Sequence, residues 1–97
     1  MIDRYCFVKL KDEHAANRTT LAEALHAMLD EVEGIDVVTV GVPADDAASS
    51  WDLSLVLRSR DRNGWAMSNV DEQLREVFDG WLPEKAEVVK AWTFEVD

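Results

Sequence analysis

Arg4, Cys6 and Asp71 are the residues of this sequence best suited to chemistry. Arg4 and Cys6 lie in the stretch IDRYCFVKLK, where alternate side chains share a face, so Arg4 and Cys6 accompany Val8 and Leu10. A guanidinium among apolar neighbours needs an anion. One reading gives it a carboxylate- or enolate-type ligand held by the planar fork; the other gives it a salt bridge to Asp52, Asp71 or a C-terminal acid. Asp71 serves as a base if its surroundings are dry enough to raise its pKa, and otherwise as a first-turn acid favouring a helix N-terminus. Cys6 is a nucleophile only if its thiolate is stabilised, with Arg4 the one cation at hand; the alternative is a buried, inert thiol.

Other chemistries lack their residues. The histidines are His14, in a polar stretch, and His26, on the wet side of a helix, and neither has a metal-ligand partner. Asp45 and Asp46 lack the alternating oxygen ligands of a calcium loop. No phosphate-cradling glycine pattern, zinc spacing or nucleophile elbow occurs, so neither metal nor cofactor is expected. Twenty acidic against ten basic residues give a net charge of -10, which repels phosphate backbones and anionic membranes; nucleic acid and membrane are not expected partners. Cys6 has no disulfide partner, and no export leader or long apolar span is evident, so a cytoplasmic protein is expected. Trp51, Trp65, Trp81 and Trp92 suit a pocket for planar ligands, and equally a core or an interface.

The elements that must position these residues follow from periodicity. Ile2 to Lys11 reads as a strand, with bulky groups on both faces. Thr20 and Glu23 have the spacing of a capping box before a helix carrying Leu21, Leu25, Met28 and Val32, which Gly34 closes. Ile35 to Val42 reads as a second strand, followed by a loop from Gly41 to Ser50. Trp51 to Arg58 reads as a third, with Trp51, Leu53, Leu55 and Leu57 on one face. Asp61 caps a short helix through Trp65 and Met67. Asn69 with Glu72 signals another helix, bearing Val70, Leu74, Val77, Phe78 and Trp81, which Gly80 and Pro83 terminate. Ala86 to Glu95 is the last strand.

That order, βαββαβ in a single 97-residue domain, predicts an α+β protein: one four-stranded antiparallel sheet with both helices on the same face, the ferredoxin-like arrangement. The other face is left bare. Apolar side chains there, for which Val8 and Leu10 are the candidates, would form a patch that a monomer seldom exposes, so a homodimer with its two sheets face to face is expected.

The opening MIDRYCFVKLK, the WDLSLVL strand and the final VVKAWTFEV strand resemble the Dabb family, the stress-responsive dimeric α/β barrel domains. The resemblance implies small homodimers with ligand pockets inside the barrel, and it turns the Arg4, Cys6, Val8 and Leu10 face toward that interior. One branch of the family, the plant polyketide cyclases, carries a first-strand histidine and a Tyr-x-x-His-Pro-x-His motif. Here the first position reads Arg4, and the motif falls on Trp65, Ser68, Asn69 and Asp71 or a few residues on toward Leu74, and in either register no histidine beyond residue 26 can act as base. Trp65 stands where the family has its pocket tyrosine, keeping a donor but no useful titration.

Three readings of function result. The first is a homodimer that binds a small aromatic or anionic organic molecule in the barrel interior, through Arg4, Cys6, Trp65 and Ser68. The second is a cyclase- or lyase-like enzyme on a polyketide-type carbonyl substrate, with Asp71 as base and Arg4 stabilising an enolate. The third is a packed, non-catalytic structural or stress-associated dimer. A cofactor-independent monooxygenase of aromatic substrates is a further rival by fold analogy.

Overall fold

A computed structural model describes residues 1–48 and 50–97; the expected loop from Gly41 to Ser50 therefore includes one residue, 49, outside the described set. Strand β1 is Ile2–Leu10, followed by a single turn, α1 (Asp12–Ala15), and the helix α2 (Arg18–Asp30). The capping box expected at Thr20 does not form. α2 begins earlier because Asn17 already accepts from the Leu21 amide at 3.0 Å, its side chain making no cap bond. Strands β2 (Val37–Gly41) and β3 (Leu53–Ser59) come next. The short helix α3 (Arg62–Met67) is capped by Asp61, whose carboxylate accepts from the Asn63 amide at 2.9 Å, as expected.

α4 (Val70–Arg75) follows at once, entered through Asn69 in the left-handed conformation (φ 52°) without a side-chain cap. Gly80 does not end it. The helix widens into a π-helical turn, Glu76–Trp81, and continues as α5 (Leu82–Lys85). Pro83 comes just after the widened turn, near the start of α5; having no N–H, it donates no bond back along the helix. β4 covers Ala86–Glu95, the span its alternation predicts.

The sheet is antiparallel in the order β2-β3-β1-β4, with β1 at its centre. Cys6 lies opposite Leu55 and Ala91, and Arg4 opposite Leu57 and Thr93. The helices cover one face, where Cys6, Val8, Leu10, Leu53, Leu55 and Leu57 meet Leu25, Leu29, Val70 and Leu74. This corrects the orientation implied by the family resemblance. The Arg4, Cys6, Val8 and Leu10 row looks toward the helices and not into a space between two sheets, because Val8 and Leu10, at most 1% exposed, are needed to complete that core.

The open face is apolar nonetheless, with other residues. Tyr5, Phe7, Trp92 and Phe94 alternate onto it, and Phe7, Trp92 and Phe94 are 37%, 47% and 53% exposed. Phe7 meets the Trp92 ring edge-on at 6.1 Å, and Tyr5 meets Phe94 at 5.9 Å. Trp51 joins them, 5.7 Å from Phe7, and not the Leu53, Leu55 and Leu57 row. The reason is local. The Asp52 amide donates to the Val8 carbonyl and its carboxylate accepts from the Leu10 amide, both at 2.8 Å, so β3 begins only after Asp52 and Trp51 escapes its alternation.

Candidate functional site at Arg4

Four elements converge on Arg4. Its Nε donates to Thr93 Oγ1 of β4 at 2.8 Å and its Nη2 donates to Asp71 Oδ1 of α4 at 2.7 Å. Its Cζ lies 5.0 Å from the ring centroid of Trp65 on α3, within range of a cation–π contact. Alternation sends Arg4 to the helix side of β1, while packing of α3 buries Trp65 to 7% exposure and so fixes the wall beside it. Arg4, Trp65 and Asp71, distant in sequence, are thus brought together. Of the salt bridges expected for Arg4, the one to Asp71 forms; Asp52 is engaged instead with the Leu10 amide and with Arg18.

Arg4 is 20% exposed at its side chain and Asp71 67%. The carboxylate is therefore a solvated counter-ion in this chain and not a dehydrated base. On the β4 side the site is open, since Val89, Ala91 and Thr93 share the helix-side row and are exposed. Cys6 belongs to the same row and is fully buried. Burial pushes its thiol up to about 11, against a lowering pull from Arg4, which leaves it protonated and inert.

Ser68 stands apart. It ends α3, its amide donating to the Gly64 carbonyl at 3.1 Å, and its side chain packs toward Gly34. Thr93 was not anticipated. The alternation of β4 puts Thr93 opposite in facing to Trp92 and Phe94, but only the β1–β4 register sets it across from Arg4. Three concavities among the described residues lie elsewhere: a hollow of about 170 Å³ on the open face beside Phe7, Trp51 and Pro43, a groove of about 540 Å³ between α2 and α4, and another of about 380 Å³ between α2 and β2, beside Ala22, His26 and Val40. Among the described residues, no group of three His, Cys, Asp or Glu is placed to hold a metal, and no helix is long and apolar enough to cross a membrane.

No protein-family model matches the sequence, and no curated protein matches it. Solved structures do. A dimeric ferredoxin-like protein of unknown function from Thermobifida fusca superposes with a TM-score of 0.72 at 14% identity, over 98% of this chain and 90% of the other. The fold is ferredoxin-like. A Dabb family protein of that fold from Mesorhizobium loti gives a TM-score of 0.69 at 13% identity, over 98% of this chain and 95% of its own. An antibiotic biosynthesis monooxygenase gives 0.66 at 10% identity, over 100% and 99%. At such identities the likeness is one of ferredoxin-like architecture, on which many activities have been built.

Proposed function

We propose that this protein is a homodimer that binds a small organic molecule, aromatic or anionic, through Arg4 on the helix side of each sheet. The observation that carries the reading is the guanidinium itself. Arg4 is mostly buried, seated on Thr93 and beside the Trp65 ring, and its counter-ion is a carboxylate that remains in water. A planar fork fixed by its neighbours is a preorganised receptor for an oxyanion or a carbonyl oxygen, and the indole supplies a flat wall for a ring. In this reading the ligand lies between the sheet and the helices, beside Trp65 and Asp71, and not between the paired sheets of a dimer.

The dimer is supported by the open face. Phe7, Trp92 and Phe94 form a contiguous aromatic patch of the kind a partner covers, and the Thermobifida fusca protein of this fold is dimeric. The charge of -10 supports a role without nucleic acid or an anionic membrane, and an unpaired buried cysteine suits a reducing cytoplasm.

Native mass spectrometry of the protein purified from cells tests this reading. The expected result is a dimer carrying a reproducible small-molecule adduct that is lost in Arg4→Ala. A clean dimer that takes up no carboxylate or carbonyl compound would favour the structural reading, and a stable monomer would remove the interface.

A second reading, a cyclase- or lyase-like enzyme, is favoured by one contact. Asp71 Oδ1 lies 2.7 Å from Arg4 Nη2, and a substrate that shut water away from this exposed carboxylate would set a base beside the cation that receives the developing enolate. Under it, Asp71→Asn abolishes turnover of a polyketide-type substrate while the dimer persists.

A further inference from the structure

Asp71 stands where a ligand's carboxylate would stand. Its Oδ1 accepts a hydrogen bond from Arg4 Nη2 at 2.7 Å, and each partner has anchors of its own besides. Helix α4 is anchored by buried Val70 and Leu74 and by Gln73, whose Oε1 accepts from the Glu33 amide at 3.0 Å and whose Nε2 donates to the Ser68 and Glu33 carbonyls at 2.7 and 2.9 Å. Arg4 is held by Thr93 and the Trp65 ring, and its Nη1 makes no hydrogen bond among the described residues.

From this arrangement we propose that Asp71 is a tethered competitor, an internal anion that occupies the Arg4 site and selects against carboxylates. The proposal rests on Arg4 being the ligand site. An external carboxylate must displace Asp71 or bind at Nη1 beside a like charge, and either costs affinity. A neutral carbonyl or amide meets no such charge and accepts from Nη1 directly. With Asp71 in place the site prefers neutral, planar oxygen compounds; without its charge the same guanidinium becomes a carboxylate receptor.

Benzoate and its neutral isostere benzamide separate these states. Each is titrated into the wild-type protein, Asp71→Asn and the double variant Arg4→Met/Asp71→Asn, with binding followed by amide and arginine Nε–H chemical shifts. The expected result is about tenfold tighter benzoate binding in Asp71→Asn, benzamide changing by no more than about twofold, with binding of both probes lost in the double variant. Equal changes for the two probes, or none for benzoate, would overturn the competitor role while leaving Arg4 as the site. Binding that survives in the double variant, or no binding of either probe to any of the three proteins, would overturn the Arg4 site and the proposal with it. Unaltered thermal unfolding of Asp71→Asn is expected, since Gln73, Val70 and Leu74 hold α4; a large loss of stability would show the pair to be structural and would also overturn the proposal.

Discussion

Arg58 grips Asp3 with two prongs across neighbouring strands, Nε to Oδ1 and Nη2 to Oδ2, each at 2.7 Å. Asp3 is fully buried, whereas the Arg58 side chain keeps 40% exposure. The hydrogen bonds from Arg58 hold the Asp3 carboxyl below the usual carboxylate range, outweighing the opposite pull of burial. The unfolded chain therefore takes up this proton first as pH falls. The pair contributes fully above about pH 4 and its contribution drains as pH drops through the lower, folded value. The unfolding temperature of the wild type should fall more steeply below about pH 4 than that of Asp3→Asn. At neutral pH, Asp3→Ala should cost about 1–3 kcal/mol, less than a fully buried pair because Arg58 stays partly in water.

The open face gives a test of assembly. Trp92 and Phe94 point away from the helices and are about half exposed. Under the dimer reading, Trp92→Glu should raise the dimer dissociation constant on the order of 100-fold or more, because it removes an aromatic anchor and buries an unpaired charge. Sedimentation velocity across a dilution series measures this, with far-UV circular dichroism confirming that the monomer stays folded.

Gly34 should resist substitution. Its φ of +92° disfavours any side chain, and an added Cβ would lie 2.7 Å from Val70 Cγ2 and 2.8 Å from Ser68 Cβ. Gly34→Ala should cost about 1–3 kcal/mol by urea unfolding, from backbone strain and overpacking together. The contrast is Gly80, where an added Cβ meets nothing within 4 Å. There an alanine should be neutral or stabilising by about 0.5–1 kcal/mol.

Cys6 should be silent to thiol reagents. With the side chain fully buried and its thiol raised to about 11, the native protein should leave Ellman's reagent unreacted at about pH 8, and unfolding should release one thiol equivalent per chain. Reaction at native conditions would mark local opening of β1 near Arg4.

Much of this protein follows from local pattern. Alternation suffices for β1 and β4, whose bounds agree with expectation to within a residue or two, because period-two burial is written into consecutive side chains. Asp61 caps α3 as its position suggests, since that bond closes over two residues. The order of elements then leaves few topologies for an antiparallel sheet, and the observed β2-β3-β1-β4 order is the ferredoxin-like one.

Alternation divides a strand into two rows but does not say which row the helices will claim. Val8 and Leu10 went to the helices because their volume completes that core, and the aromatic row of Phe7, Trp92 and Phe94 was left outside. The helix starting at Arg18 and the π turn running through Gly80 likewise reflect backbone bonds and packing that no short motif encodes. The site shows the same division. Alternation in β1 is enough to give Arg4 a row with Cys6, and its charge enough to require an anion. That the anion is Asp71, that Thr93 seats the guanidinium and that Ser68 packs toward Gly34 instead depend on strand register and helix docking, which are set by contacts between residues far apart in the chain.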